Sequence, residues 1–126
     1  MTSDSHLARL FGLDGRVAVV TGGSSGIGRA IALALGASGA HVLVAARTET
    51  AIDETVAAIH ELGGTAGGIV ADLSTRAGVH TLADAAGDVD IIVNSAGINL
   101  RPPLPELDEA VWDATMAVNL EAPFIL

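Results

Sequence analysis

The chain has 126 residues, half of them apolar, and a formal net charge of −9; its six basic residues are all arginines. That length suffices for one domain with a real core, and the lack of any basic run argues against a nucleic-acid backbone as partner. No cysteine occurs, which removes disulfides and thiol chemistry. No apolar stretch approaches a membrane span, and the first residues lack the basic start and apolar core of a secretory signal. The default setting is soluble and cytoplasmic.

Residues 1–14 read as a polar lead-in, with Leu10, Phe11 and Leu13 packing near the first strand, and Asp14-Gly15 as a turn. Val17 to Val20 is a short apolar run rich in β-branched residues, the composition of a strand buried on both faces. A glycine-rich turn over Thr21 to Gly28 follows. Ile27, Ala30, Ile31, Ala34 and Leu35 then recur at helical spacing to about Ala37. Gly36 and Gly39 bracket the helix end, where glycine suits a left-handed cap. His41 to Ala46 is a second strand, with His41 at its mouth read as an edge residue. The other histidines are scattered without metal-ligand spacing.

Thr50 to Asp53 resembles a capping box that opens a second helix. Its apolar face carries Ile52, Val56, Ile59 and Leu62, and Gly63-Gly64 stops it. Ile69 to Ala71 forms a short third strand ending at Asp72. Ser74 is the expected N-cap of a third helix carrying Val79, Leu82, Ala83 and Ala86, closed by Gly87. Val89 to Val93 is a fourth strand that runs into Asn94-Ser-Ala-Gly97. Three of the four prolines fall in 98–107, an irregular loop, and Asp108 caps a last helix through Val111, Trp112, Met116 and Leu120. Strands and helices alternate throughout. Right-handed crossovers then predict one α/β domain over 1–126, with a doubly wound parallel sheet of about four strands and helices on both faces.

The strand, glycine turn and helix from Arg16 to Ala37 follow one another with no slack. Such a turn lets backbone come within contact distance of a diphosphate, and the first helical N–H groups point at the ligand. Side chains at Gly26 or Gly28 would be expected to block that approach. The helix N-terminus adds roughly half a positive charge, worth about 0.3–1 kcal/mol for a nearby anion at an exposed site. The alternative is a tight strand-to-helix turn with no ligand. The spacing Gly22-x-x-x-Gly26-x-Gly28 is not G-x-G-x-x-G, and no Gly-Lys-Ser/Thr follows, so a P-loop is excluded.

Each strand ends in a residue suited to ligand contact, and ligands of this architecture sit at the carboxyl ends of strands. Together these ends resemble the short-chain dehydrogenase/reductase family. TGGSSGIG, Thr21 to Gly28, is similar to the family's TGxxxGxG. Val70-Ala-Asp72-Leu73 resembles its adenine-contacting segment, and Asn94-Ser95-Ala96-Gly97 its NNAG signature, with Ser95 in place of the second Asn. Val118-Asn119-Leu120 falls where the family keeps its active-site asparagine. The resemblance covers Leu10 to Leu126, about the first half of a family member.

The resemblance implies a Rossmann-like dinucleotide-binding domain. Its cofactor residues here are Thr21, Gly22, Ser24, Ser25, Gly26, Ile27, Gly28, Arg47, Asp72, Leu73, Asn94, Ala96 and Gly97. It further implies that Asn94 ties adjacent strands, that Ala96-Gly97 passes the cofactor ribose, and that Asn119 perturbs its helix and holds a water in a proton relay. Each has a plainer reading: Asp72 as a helix-start residue, Asn94 to Gly97 as an ordinary turn, and Asn119 as a surface asparagine. At the end of strand two an NAD-preferring enzyme places a carboxylate for the ribose 2′-OH, and that carboxylate repels a 2′-phosphate. Here the position is Ala46, followed by Arg47. A charge-assisted bond is worth about 1.5–3 kcal/mol, which favours NADP(H) over NAD(H). Arg29 is a second candidate phosphate partner, and Arg47 read plainly is a solvated loop residue.

The family's Tyr-x-x-x-Lys proton donor and its preceding Ser are not matched, and the chain contains no tyrosine and no lysine. The expected whole is an oxidoreductase moving a hydride between NADP(H) and a carbonyl or secondary alcohol, of which this chain is a fragment. The stretch from Ile98 to Phe124 leans toward members acting on sugar acids and polyols. A homo-oligomer is expected, because family members pair through the last helix. The alternative is a non-catalytic nucleotide-binding or redox-sensing half-domain.

Overall fold

The structure, a computed structural model, describes residues 4–126. Its strands are β1 Val17–Thr21, β2 His41–Ala46, β3 Thr65–Val70 and β4 Ile91–Asn94. Its helices are α1 Asp4–Phe11, α2 Gly26–Ala37, α3 Glu49–Glu61, α4 Arg76–Ala86, α5 Glu109–Met116 and α6 Ala122–Ile125. All strand pairs are parallel, in the order β3-β2-β1-β4. The chain therefore winds outward from β1 to β3 and returns to the far side of β1 as β4. This is a Rossmann-like doubly wound sheet, with its reversal of direction between β1 and β4.

The period of two along β1 divides the core. Ala18 and Val20 face α2 and α3, where they pack with Val42, Val44, Ala32, Ile52 and Ile59. Val19 faces the other way, onto a cluster with Ala45, Ala71, Leu73, Val79, Leu82 and Ala122. Because both faces of the sheet are covered at its centre, β1 reads as an unbroken apolar run from Val17 to Val20. At the foot of the sheet the Asp90 carboxylate accepts from the Val17 N–H at 2.9 Å and from the Arg16 guanidinium at 3.3 Å, pinning β4 to the start of β1.

Several local expectations are corrected by tertiary context. The lead-in contains a helix, α1, on which Leu10 and Phe11 are 61% and 73% exposed, while Leu13 packs against the first core cluster. Residues 1–3 of that lead-in lie outside the described residues. β3 begins four residues earlier than its apolar stretch, because pairing with β2 runs from His41↔Thr65 to Ala46↔Val70 and recruits Gly67 and Gly68. β4 starts at Ile91 and extends through Asn94. The N-cap position of α3 is Thr48 rather than Thr50, without a side-chain cap bond, and α4 is capped by Thr75, whose hydroxyl accepts from the Gly78 N–H; Ser74 serves Asp72 instead. Gly36 is no cap. It lies inside α2, where a Cβ would come within 2.7 Å of Ile59 Cγ2, and Gly39 alone adopts the left-handed turn, with φ +103°.

Asp108 caps α5 as expected, its carboxylate accepting from the Val111 N–H at 3.0 Å. The last helix is not uniform, however. Between α5 and α6 the segment Ala117–Glu121 is a π turn, and Asn119 lies at its centre. No helix among the described residues is long and apolar enough to cross a membrane.

Candidate functional site: a groove at the carboxyl ends of the strands

A groove of about 780 Å³ opens where β1, β2, β3 and β4 end. The β1–α2 turn forms its floor, with Gly22 and Gly26 at φ +63° and +54°, a backbone region that favours glycine. A Cβ on Gly22 would lie 2.9 Å from the Ala96 N, so the turn and the β4 loop cross in close contact. A Cβ on Gly26 would meet nothing within 4 Å. Gly28 behaves differently from the expectation: a Cβ there would overlap the Gly22 carbonyl, not the groove. Its glycine serves close packing of α2 onto the turn, the part ascribed to the third glycine of such turns.

The residue before α2, Ser25, makes no side-chain cap bond. The first N–H groups of that helix are therefore left for solvent or a ligand. Glycine cradle, uncapped helix start and space beside Gly26 together fit a diphosphate. Ser24, Ser25 and Ile27 line the groove with these glycines.

At the end of β2, Ala46 and Arg47 line the same groove. Arg47 makes no ion pair among the described residues. Asp72 and Leu73 border it from the end of β3. The Asp72 Oδ1 accepts from the Ser74 hydroxyl at 2.6 Å and from the Ser74 N–H at 3.0 Å. Those two bonds, and to a smaller extent nearby Arg47, hold the Asp72 carboxyl below its ordinary range, so it is anionic near neutrality. Arg29 is not among the groove residues.

On the β4 side, Ala96, Gly97 and Ile98 line the groove. Thr21 and Asn94 do not; they lie beneath it, around a small crevice near Pro123. Thr21 is buried and acts on backbone. Its hydroxyl donates to the Val93 carbonyl at 3.4 Å and accepts from the Ser95 and Ala96 N–H groups at 3.2 and 3.1 Å. It is this hydroxyl that ties β1 to the β4 loop, whereas the Asn94 side chain makes no such bond among the described residues.

Asn119 lies outside the groove lining but governs one wall of it. Its Oδ1 accepts from the Ile98 N–H and its Nδ2 donates to the Ile98 carbonyl, both at 2.8 Å. Asn119 is itself exposed, as its plainer reading had it, yet both its amide positions have a fixed partner in the Ile98 backbone. The role of Ile98 had no signal of its own in sequence. Only the misfit of Asn119 pointed to a partner. Thr48, Ala114 and Val118 are further groove residues that sequence reasoning missed.

The profile of the short chain dehydrogenase family matches residues 16–126. The chain belongs to that family. It is 41% identical over 123 residues to D-threitol dehydrogenase of Mycolicibacterium smegmatis, covering 92% of this chain and 46% of that enzyme. Among solved structures, it matches a 3-oxoacyl (acyl-carrier-protein) reductase from Agrobacterium tumefaciens C58 with NADP bound, at 35% identity and TM-score 0.87. That match covers 98% of this chain and 49% of the reductase. A metagenomic short-chain oxidoreductase in complex with NADP is similar at 41% identity and TM-score 0.81, over 90% of this chain and 54% of that one. The short-chain dehydrogenase chain described here thus spans about half the length of the relatives it matches.

Proposed function

We propose that these residues are the cofactor-holding half of an oxidoreductase that interconverts a carbonyl and a secondary alcohol with NADP(H). The observation that carries this reading is the convergence on one groove of the glycine cradle, the uncapped start of α2, and Arg47 beside Ala46. NADP bound to two solved relatives supports the choice of cofactor class. Gly22 to Gly28 would receive the diphosphate, Arg47 the 2′-phosphate, and Asp72 with Leu73 the adenine. Ala96, Gly97 and Ile98 would flank the far ribose. When bound, the dinucleotide supplies or accepts the hydride.

The chain's own residues bind, orient and exclude water; Asn119 positions Ile98 and, as the family resemblance implies, would hold a water of the proton relay. No tyrosine or lysine is present to donate a proton, so residues 1–126 by themselves are expected to bind without turnover. The substrate we read as a polyol or sugar acid, a reading supported by D-threitol dehydrogenase among the relatives. The whole protein we read as a cytoplasmic homo-oligomer, with the exposed apolar side of α5 and α6 as the contact.

The decisive experiment is competitive binding of NADP and NAD to the full-length protein and to its Ala46→Asp/Arg47→Ser variant. The parent should prefer NADP by about ten- to 150-fold, the worth of one charge-assisted bond, and the variant should lose that preference. Unchanged selectivity would sink the assignment of Arg47. Reduction of a panel of keto-sugars, keto-acids and 3-oxoacyl thioesters by the same protein tests the substrate class.

A further inference from the structure

Glu121 is an ionisable group that the binding reading does not use. Its Oε1 is buried and makes no hydrogen bond of good geometry among the described residues. The one cation against it is the Arg76 guanidinium, whose Nε faces that oxygen from the first turn of α4. A buried carboxylate oxygen without compensation is costly, and breaking such a pair leaves the cost standing. Arg76 is largely exposed and the Glu121 side chain is 35% exposed, so it is the Oε1 atom alone that lies away from solvent and calls for the guanidinium.

The location gives the pair its use. Glu121 is the last residue of the π turn Ala117–Glu121, and Asn119 is two residues before it. A π turn carries one residue more than the α-helical turn it replaces; such turns are rare and frequently occur at functional sites. Relaxation to α-helix shifts the register by one residue, a rotation of about 100°. Asn119 is anchored to Ile98, and Glu121 to Arg76. Two residues apart, these anchors pull on widely separated sides of the same turn. After a register shift, both cannot be kept.

We propose that Arg76 and Glu121 are a positioning pair whose ion pair holds the π turn in register and thereby seats Asn119 on Ile98. The pair touches neither groove nor ligand. Its effect reaches the groove through Ile98, at the end that the Proposed function assigns to the nicotinamide side, and to that extent it rests on that reading.

The test reads the seat directly, in the full-length protein without cofactor, as hydrogen exchange of the Ile98 amide. Arg76→Ala and Glu121→Gln should each speed that exchange by about tenfold, the scale of coupling through a two-state element. Exchange of the Ala71 amide, bonded to the Ala46 carbonyl across β2 and β3, should stay unchanged and so exclude general loosening. The exchanged pair Arg76→Glu/Glu121→Arg should restore slow exchange. A second arm measures affinity for NADPH and for 2′,5′-ADP, which lacks the nicotinamide half. Arg76→Ala should weaken NADPH by about tenfold and leave 2′,5′-ADP within about twofold. Unchanged Ile98 exchange in both single variants, or equal acceleration at Ala71, overturns the proposal even where NADPH binds normally. A parent protein that binds neither ligand while Ile98 responds as expected overturns the Proposed function and leaves the brace standing.

Discussion

The two faces of the sheet are built by different means. On the first, α2 and α3 follow β1 and β2 directly and close the core with small residues against large ones. Gly36 admits Ile59, and Gly68 lies against Ile52. On the second, α4 meets α6, about forty residues later in the chain, and the seal is looser: Ala71, Leu73 and Val118 keep some exposure. Beyond that seal, Trp112 and Phe124 are 63% and 86% exposed. The groove lies where the two constructions meet. One end, at the β1–α2 turn, is shaped by backbone, and the other hangs on a single asparagine and one irregular turn. Local succession of elements can complete a core by itself. Joining distant segments takes specific polar anchors, here Thr21, Asp90, Asn119 and the Arg76–Glu121 pair.

The largest effect is expected from breaking the tight side at its start. Gly28→Val places a branched side chain into the Gly22 carbonyl and should cost about 3 kcal/mol or more, at the upper end for overpacking. Circular-dichroism melts should show loss of the cooperative transition, with dinucleotide binding lost alongside it. A native melt with binding abolished would instead put the Gly28 side chain in the diphosphate space.

A smaller change sharpens the same comparison. Gly36→Ala should destabilise by about 1–3 kcal/mol, because its methyl enters contact with Ile59 and the core there has no slack. Ile59→Val in the same chain should recover part of that loss, a coupling visible in urea midpoints. Strict additivity of the two substitutions would mean that the first face is not as closed as its geometry indicates.

The smallest effect concerns the polar anchor of β4. The Val17 N–H, and secondarily Arg16, hold the Asp90 carboxyl below its ordinary range. A depressed folded value means that the carboxylate's contribution is complete above the unfolded value of about 3.9 and disappears as pH falls through the folded one. Urea midpoints of the protein and of Asp90→Asn should therefore differ near neutrality and converge between about pH 5 and pH 2. A gap that widens on acidification would contradict this sign.

Much of this was legible in the chain because it is written in local pattern. The alternation of apolar runs with helical spacing set the order of elements, and β2 was delimited to the residue. The glycine spacing from Gly22 to Gly28, read with Ala46-Arg47 and Asp72, marks the groove in the sequence itself. What local pattern could not reach was set by partners distant in the chain. β3 gained Thr65 to Gly68 only because β2 offers hydrogen-bonding groups there, and glycines carry no strand preference of their own. Thr75 displaced Ser74 as a cap because Asp72 claims the serine.

By itself, then, the amino-acid order determined the parallel α/β sheet, the two-sided burial of β1 and the place of the glycine turn, since each follows from neighbours within a few residues. Only the tertiary structure decided that Gly28 serves helix packing and that Thr21, not Asn94, joins β1 to the β4 loop. It alone put Ile98 under Asn119 and Glu121 beside Arg76. These four depend on which backbones approach within hydrogen-bonding distance, and a linear pattern carries no measure of that distance.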